Sequence, residues 1–256
     1  MVAIAGKIAA PDGVRVPATD EVAELVAQMI ADNRMKAGDV LPSEQTLSQM
    51  FHVSIRVVRE GLRTLAARGI IQTSQGKRAI VAGDSPVAIE AYFRFVERMD
   101  RKSVLELYEL REVIEVHATV LAAQRATADD IARARQALET MISAGDDVAA
   151  YVTGDIAFHA AIIDAVHNRF LSGVMSALSG ALHAERELGV RNRIRAGKRP
   201  KAVREHRAIL AAVQAGDSER AERAILVHMA SGRADVRRYL SDQLEAVGHA
   251  ASSPGS

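Results

Sequence analysis

Apolar residues recur at three- and four-residue intervals along most of this chain, and the pattern shortens only near its start. From Glu21 to Met35 the positions Val22, Leu25, Val26, Met29 and Ile30 form one helical stripe, with Thr19 or Asp20 placed to cap it. Gly38 and Pro42 interrupt the run. Ser43 then suits the N-cap of a short helix from Glu44 to Phe51, with Leu47 and Met50 inward. His52-Val53 makes a tight turn, and Ser54 caps a third helix, Ile55 to Arg68, that places Val58, Leu62 and Leu65 on one face and stops at Gly69. Ile70-Ile71-Gln72-Thr73 and Ala79-Ile80-Val81-Ala82 read as short strands around Ser74-Gln75-Gly76-Lys77-Arg78. Helix, helix, three-residue turn, helix and hairpin is the plan of a winged helix-turn-helix.

Near Gly83-Asp84-Ser85-Pro86 the composition changes. Only Pro200 and Pro254 follow Pro86, and long runs rich in Ala, Leu, Arg and Glu predict six or seven helices, near 86–100, 103–126, 128–144, 147–167, 169–189, 199–215 and 217–246. The predicted fold is mainly α: an N-terminal winged helix-turn-helix over 17–83, a linker over 84–88, and a C-terminal antiparallel all-helical bundle over 89–246.

With 256 residues, 48% apolar and 25% charged, the chain has the balance of an ordinary globular protein. It has no cysteine, which excludes disulfides, iron–sulfur clusters and thiolate zinc sites. No run of about 18 apolar residues is present, so no membrane span is expected. The opening Met1-Val2-Ala3-Ile4-Ala5-Gly6-Lys7 lacks a basic n-region and does not read as a signal peptide; a cytoplasmic location is expected.

The net charge of +1 gives no general attraction to nucleic acid, so any such affinity must be local. Residues 51–80 supply it: Arg56, Arg59, Arg63, Arg68, Lys77 and Arg78 stand against Glu60 alone, a local charge of +5. Arg56, Arg59 and Arg63 share one face of the third helix, opposite its apolar face. A recognition helix presents such residues to the major groove, while Ser54 at its N-terminus can meet a phosphate. Gln75, Gly76, Lys77 and Arg78 form a wing tip for the adjacent groove. A solvated basic face is the plainer alternative.

A second constellation lies in the helical part. Asp155 and His159 are four apart and so share a helix face, as two ligands of one metal do. His206 and His228 flank the break at Gly216-Asp217 by ten and twelve residues, which at about 1.5 Å per residue brings them to similar height on antiparallel helices. One carboxylate and three imidazoles suit a borderline divalent ion such as Zn²⁺, Ni²⁺ or Mn²⁺; a hydrogen-bonded Asp–His pair is the simpler account. Arg111 has Glu115 four residues on, either as a surface salt bridge or with the arginine turned inward to clamp a carboxylate ligand. His52, His117, His167, His183 and His249 carry no comparable pattern, although His167 precedes Asn168 at a helix break and could line a cavity.

The run Leu41-Pro42-Ser43-Glu44, Leu47, Val53-Ser54, Val57-Val58-Arg59-Glu60-Gly61-Leu62, Leu65, Gly69-Ile70-Ile71 and Gly76 resembles the GntR family of bacterial transcription regulators. The helical part resembles the FadR-type effector domain through Glu109, Arg111, Ile114-Glu115, Asp155, Phe158-His159, His167-Asn168, Glu205-His206, Ile209, Ala212, Gly216-Asp217 and His228. The resemblance implies a homodimer on a palindromic operator. It implies a divalent metal on Asp155, His159, His206 and His228, with zinc favoured, and a small carboxylate effector, a sugar acid or hydroxy acid, met by Arg111 and Asn168. Base or phosphate contacts would come from Gln45, Ser54, Arg56, Arg59, Gln75, Gly76, Lys77 and Arg78. The chain departs from the family where Ser/Thr-Arg commonly opens the recognition helix: here the pair is Ser54-Ile55, with Arg56 one residue later and so turned by about 100°. Gln45 stands where the preceding helix is often basic.

The expected function is a ligand-responsive regulator, a repressor, rather than an enzyme. The alternatives are a metal-sensing regulator without an organic effector and a metal-dependent enzyme. The last lacks a phosphate loop, a nucleophile elbow and the paired Glu-x-x-His of di-iron bundles.

Overall fold

Helix α1 (Ala18–Asp32) ends on a non-glycine residue: Arg34 takes φ 50°, its N–H bonds to Ala31 O and that of Met35 bonds to Ile30 O. These two reversed bonds satisfy the last carbonyls and stop the helix before Met35, the end the apolar stripe suggested. At its start, Thr19 and Asp20 lie inside the first turn instead of capping it. A computed structural model describes residues 18–83, 87–99, 103–183, 186, 187, 189–191, 197 and 199–251, with backbone alone at 18, 199, 239, 240 and 242–251. The predicted start at 17, most of the predicted linker (84–86) and the opening Met1–Lys7 lie outside the described residues, and His249 is described by its backbone only. The chain divides into two units between Ala88 and Ile89.

In the first unit, Ser43 accepts from Thr46 N to cap α2 (Glu44–Phe51), and Ser54 accepts from Val57 N to cap α3 (Ile55–Ala67). His52 closes α2 in the left-handed conformation, φ 54°, so the three-residue turn sets α3 against α2. Strands β1 (Ile71–Gln72) and β2 (Ile80–Val81) pair antiparallel, Ile71 opposite Val81. The sequence pattern missed a third partner: Val40 bridges Ile80, and Leu41 N bonds to Ala79 O at 2.8 Å. Val22, Val26, Leu41, Leu47, Val58, Leu65 and Ile71 close the core of this winged helix-turn-helix.

The second unit is all-helical in its described residues: α4 (Val87–Met99, its first two residues preceding the division), α5 (Ser103–Arg125), α6 (Ala128–Ser143), α7 (Val148–Asp164), α8 (Arg169–Ala181), α9 (Arg199–Gln214) and α10 (Ser218–Ala251). Short connections join α5 to α6, α6 to α7, and α9 to α10, so these neighbours run antiparallel. Gly216, φ 69°, turns α9 into α10: its N–H bonds to Val213 O and that of Asp217 to Ala212 O. Helix α8 stops at Ala181, short of the predicted 189, because the chain turns at Leu182; Arg186 and Glu187 are helical again beyond it. Met141, Tyr151, Phe158, Leu178, Ile209 and Ile225 fill the core, and α5, α7, α9 and α10 meet around it.

Candidate metal and anion centre, and the DNA-facing surface

Helix α7 contributes Asp155 and His159, α9 His206, and α10 His228; all four are buried. His159 Nε2 lies 3.3 Å from His206 Nε2 and 3.2 Å from His228 Nε2. Asp155 Oδ1 lies 3.2 Å from His206 Nε2 and 3.9 Å from His159 Nε2. The three imidazoles present ligand atoms that all fall within 4.8 Å of one another. Phe158 packs edge-on against His159 and His206 and walls off this point.

The outer nitrogens explain the arrangement. His159 Nδ1 meets Glu115 Oε2 at 2.5 Å, His206 Nδ1 meets Ala202 O at 2.8 Å, and His228 Nδ1 meets Glu205 Oε2 at 3.3 Å. Carbonyl and carboxylate oxygens only accept, so each Nδ1 carries the proton and each Nε2 turns a lone pair to the centre. Burial, ahead of the surrounding charges, pushes His159 down to about 4 and His228 well below the ordinary histidine range, which keeps both neutral. Burial works to raise Asp155, but His206 and the other groups packed around it, Arg186 among them, hold its carboxyl well below the ordinary range. Three lone pairs and a carboxylate facing one another repel until a cation sits among them. The donor set fits a borderline divalent ion, with each imidazole oriented by an outer partner as metal-bound histidines are.

Beside this point lie two buried arginines. Arg111, on α5, donates through Nε to Glu115 Oε1, and its guanidinium lies 5.6 Å from the Tyr108 ring centroid. Arg186 donates through Nη1 to Asp155 Oδ2 at 3.1 Å. Arg111 Nη2 and Arg186 Nε and Nη2 are buried without a hydrogen-bond partner. Burial works to lower Arg111, but Glu115 outweighs it and Arg111 is raised; Arg186 is lowered by burial and then by the charge of Arg111. Unpaired buried guanidinium N–H groups are costly and suit an anion.

In the first unit, Arg56, Arg59 and Arg63 stand exposed on α3, opposite buried Val58, Leu62 and Leu65. Arg59 pairs with Glu44 at 2.7 Å and Arg63 with Glu60 at 2.5 Å, both at the surface. Gln45, Ser54, Gln75, Gly76 and Lys77 are exposed as well. Arg78 is not a free wing-tip cation: its Nε donates to Leu41 O at 2.8 Å and its Nη2 to the same oxygen, clasping the 38–41 segment to the wing.

Residues 18–81 match the bacterial regulatory proteins of the gntR family, and residues 106–231 match the FCD domain. The HTH-type transcriptional regulator LutR of Bacillus subtilis is 31% identical over 221 residues, covering 85% of this chain and all of the relative. The chain belongs to the GntR family. The galactonate operon transcriptional repressor of Escherichia coli is 29% identical over 220 residues, covering 83% of this chain and 94% of that one. A solved GntR structure from Streptococcus agalactiae shares the fold at TM-score 0.70 and 21% identity, covering 84% of this chain and 98% of that one. A GntR-family chain of this make-up is a DNA-binding transcription regulator, not an enzyme. Among the described residues, no helix is long and apolar enough to cross a membrane.

Within this GntR-family fold, Asp155, His159, His206, His228 and Arg111 come together in the FCD domain, whereas Asn168 does not join them. Asn168 is exposed, and its Oδ1 accepts from Phe170 N at 3.0 Å and Leu171 N at 3.4 Å. It caps α8, and that bond accounts for an asparagine at a helix break. His167 is also outside the cluster: it is half-exposed in the left-handed conformation, with Nε2 3.1 Å from Asp130 Oδ2. The sequence pattern missed Arg186, and it missed Glu115 and Glu205 as the anchors of two histidines. Both glutamates stood in the stretches that carry the family resemblance, and Glu115 also as the residue four beyond Arg111, but neither was given a role toward a histidine.

Proposed function

We propose that this chain is a carboxylate-responsive repressor that acts in the cytoplasm as a homodimer, with a divalent ion, zinc foremost, on Asp155, His159, His206 and His228. The observation that carries the reading is three oriented imidazole lone pairs and a carboxylate beside the half-paired guanidinium of Arg111. A bound divalent ion would supply an open coordination position for a carboxylate and a neighbouring hydroxyl oxygen. Arg111 would then hold the acid through its spare N–H, and Phe158 would keep water away. A hydroxy acid or sugar acid suits this set of buried polar groups, in keeping with a relative named for a galactonate operon. The groups that would touch such a ligand sit on α5, α7, α9 and α10, so binding would draw these helices together and re-aim the DNA-binding units. In a dimer whose two α3 helices read half-sites at fixed spacing, a small reorientation changes operator affinity.

The test is a thermal-shift series on the zinc-loaded chain with small carboxylates, repeated after chelation, with operator binding followed in parallel. One acid should raise the melting temperature, lose that effect on chelation or in Arg111→Ala, and release DNA. A chelator effect with no acid responding would favour a metal sensor without an organic effector and overturn the carboxylate reading. Analytical ultracentrifugation checks the dimer.

A further inference from the structure

Arg186 leaves a whole recognition edge unused. Its Nη1 is spent on Asp155, while Nε and Nη2 are both buried and unpartnered. Those two nitrogens carry the side-on pair of N–H groups that a carboxylate takes with both oxygens. Arg111 is different: its Nε is taken by Glu115, and its spare donor is Nη2. Arg111 and Arg186 therefore offer two separate guanidinium contacts for an anion, each tied to a different carboxylate beside the histidine cluster. Arg111 acts through the carboxylate that anchors His159, and Arg186 through the carboxylate that faces His206.

The charges point the same way. Arg111 is offset by Glu115 and Arg186 by Asp155, histidines bind a metal as neutral ligands, and Glu205 has Lys201 at 3.6 Å. A divalent ion would leave two positive charges uncompensated in a site closed to water. A ligand with one carboxylate would neutralise one of them and leave the Arg186 edge unmet. Buried, unpaired charge is expensive, so the full complement is a ligand with two.

We propose that the effector is a small diacid, one carboxylate directed to the histidine cluster and Arg111, the second taken side-on by Nε and Nη2 of Arg186. This inference rests on the carboxylate reading above and narrows it.

The experiment is isothermal titration calorimetry of the zinc-loaded, full-length protein with matched pairs that differ by one carboxylate: L-malate against L-lactate, succinate against propionate, and glutarate against butyrate. At least one diacid should bind about tenfold to hundredfold more tightly than its monoacid partner, the range of one charged hydrogen-bonded contact. Arg186→Gln should abolish that preference; because Arg186 also donates to Asp155, the comparison is made within each acid pair at saturating zinc, not between variant and parent. Zinc content and melting temperature, measured on the same samples, check that the variant is folded; Arg186→Lys keeps the charge without the fork and should recover only part of the preference. Equal affinity within every pair overturns the diacid inference and leaves the carboxylate reading standing. A preference that persists in Arg186→Gln overturns the role of Arg186. Binding of none of the three diacids to the zinc-loaded protein overturns the diacid inference, while the carboxylate reading is decided separately by the thermal-shift series.

Discussion

Glu115 Oε2 accepts the Nδ1 proton of His159 at 2.5 Å, while the other oxygen of the same carboxylate accepts from Arg111. One buried side chain thus fixes both the imidazole that would hold the metal and the guanidinium that would hold the anion. Burial alone would raise this carboxyl, but Arg111 and then His159 hold it below the ordinary range, so it acts as an anion at neutral pH. Glu115→Gln keeps the size and loses the charge. Zinc affinity, read by competition with a chelating dye, is expected to fall about 10–100-fold, the usual effect of removing an outer-shell partner of a ligating histidine. Unchanged affinity would mean that His159 holds the metal without an anchor from Glu115.

On the DNA-facing surface, Arg59 and Arg78 should behave differently although both are wing-unit cations. The Arg59–Glu44 pair is solvent-exposed and so worth well under about 1 kcal/mol, which leaves Arg59 free to exchange Glu44 for a phosphate. Arg59→Ala should weaken binding to operator and unrelated duplex alike, and should lower the salt slope by about one. Arg78 is committed to Leu41 O. Arg78→Ala should cost roughly 1 kcal/mol of stability through that lost clasp. Titrations over a series of salt concentrations, with melting curves alongside, separate the two. A salt slope unchanged in Arg59→Ala would remove the phosphate contact.

These cases also show what the sequence could reveal. Local signals read true: Ser43 and Ser54 cap the helices they precede, and the four-residue spacing of Asp155 and His159 puts both toward one point. The height match of His206 and His228 about Gly216 needed only the rise of a helix and one turn. What stayed hidden depends on distant chain. Arg186 meets Asp155 across 31 residues, and its direction follows from the turn at Leu182, for which periodicity gives no sign. Glu115 was visible beside Arg111 and in the family pattern, but its burial was not, because an i, i+4 pair looks the same buried or exposed. The strand partner at Val40 is a single bridge, too short to leave an alternating pattern. Asn168 carried two meanings in sequence, and its cap bonds decide for the local one.

Asp130 is a structural counterpart to the charged centre. Its Oδ2 accepts from Thr127 N at 2.8 Å and from Thr127 Oγ1 at 2.7 Å, closing the capping box at the start of α6, and His167 approaches the same oxygen. Burial works to raise this carboxyl, but the Thr127 bonds, then His167 and Arg133, hold it below its ordinary value. A depressed carboxyl stabilises the fold fully above its unfolded pKa, near 4, and loses that contribution as the pH falls through the folded value. Asp130→Ala is expected to cost about 1–2 kcal/mol at neutral pH, and the difference from the parent chain should shrink as the solution is acidified. Urea unfolding at pH 7 and at progressively lower pH tests this; a cost that does not shrink on acidification would assign the loss to packing instead.

The close approach of α6 and α7 sets the last expectation. A Cβ on Gly154 would stand 2.7 Å from Met141 Cγ, 2.8 Å from Met141 N and 3.0 Å from Ala137 O. Backbone atoms cannot swing aside as a flexible side-chain tip can, so the two helices would have to part. Asp155 follows Gly154 directly and His159 lies just over a turn away, so the shift would carry both. Gly154→Ala should cost about 1–3 kcal/mol, the range for overpacking, and should lower zinc affinity as well, although residue 154 contacts no ligand. Gly173, inside α8, has nothing within 4 Å of its would-be Cβ. There the same substitution removes only glycine's helix penalty and should stabilise the chain by about 0.5–1 kcal/mol. Opposite signs for the two variants in urea unfolding, with zinc affinity falling only for Gly154→Ala, are the expected result. A loss of stability without a loss of zinc affinity would show that the ligand geometry does not depend on the spacing of α6 and α7.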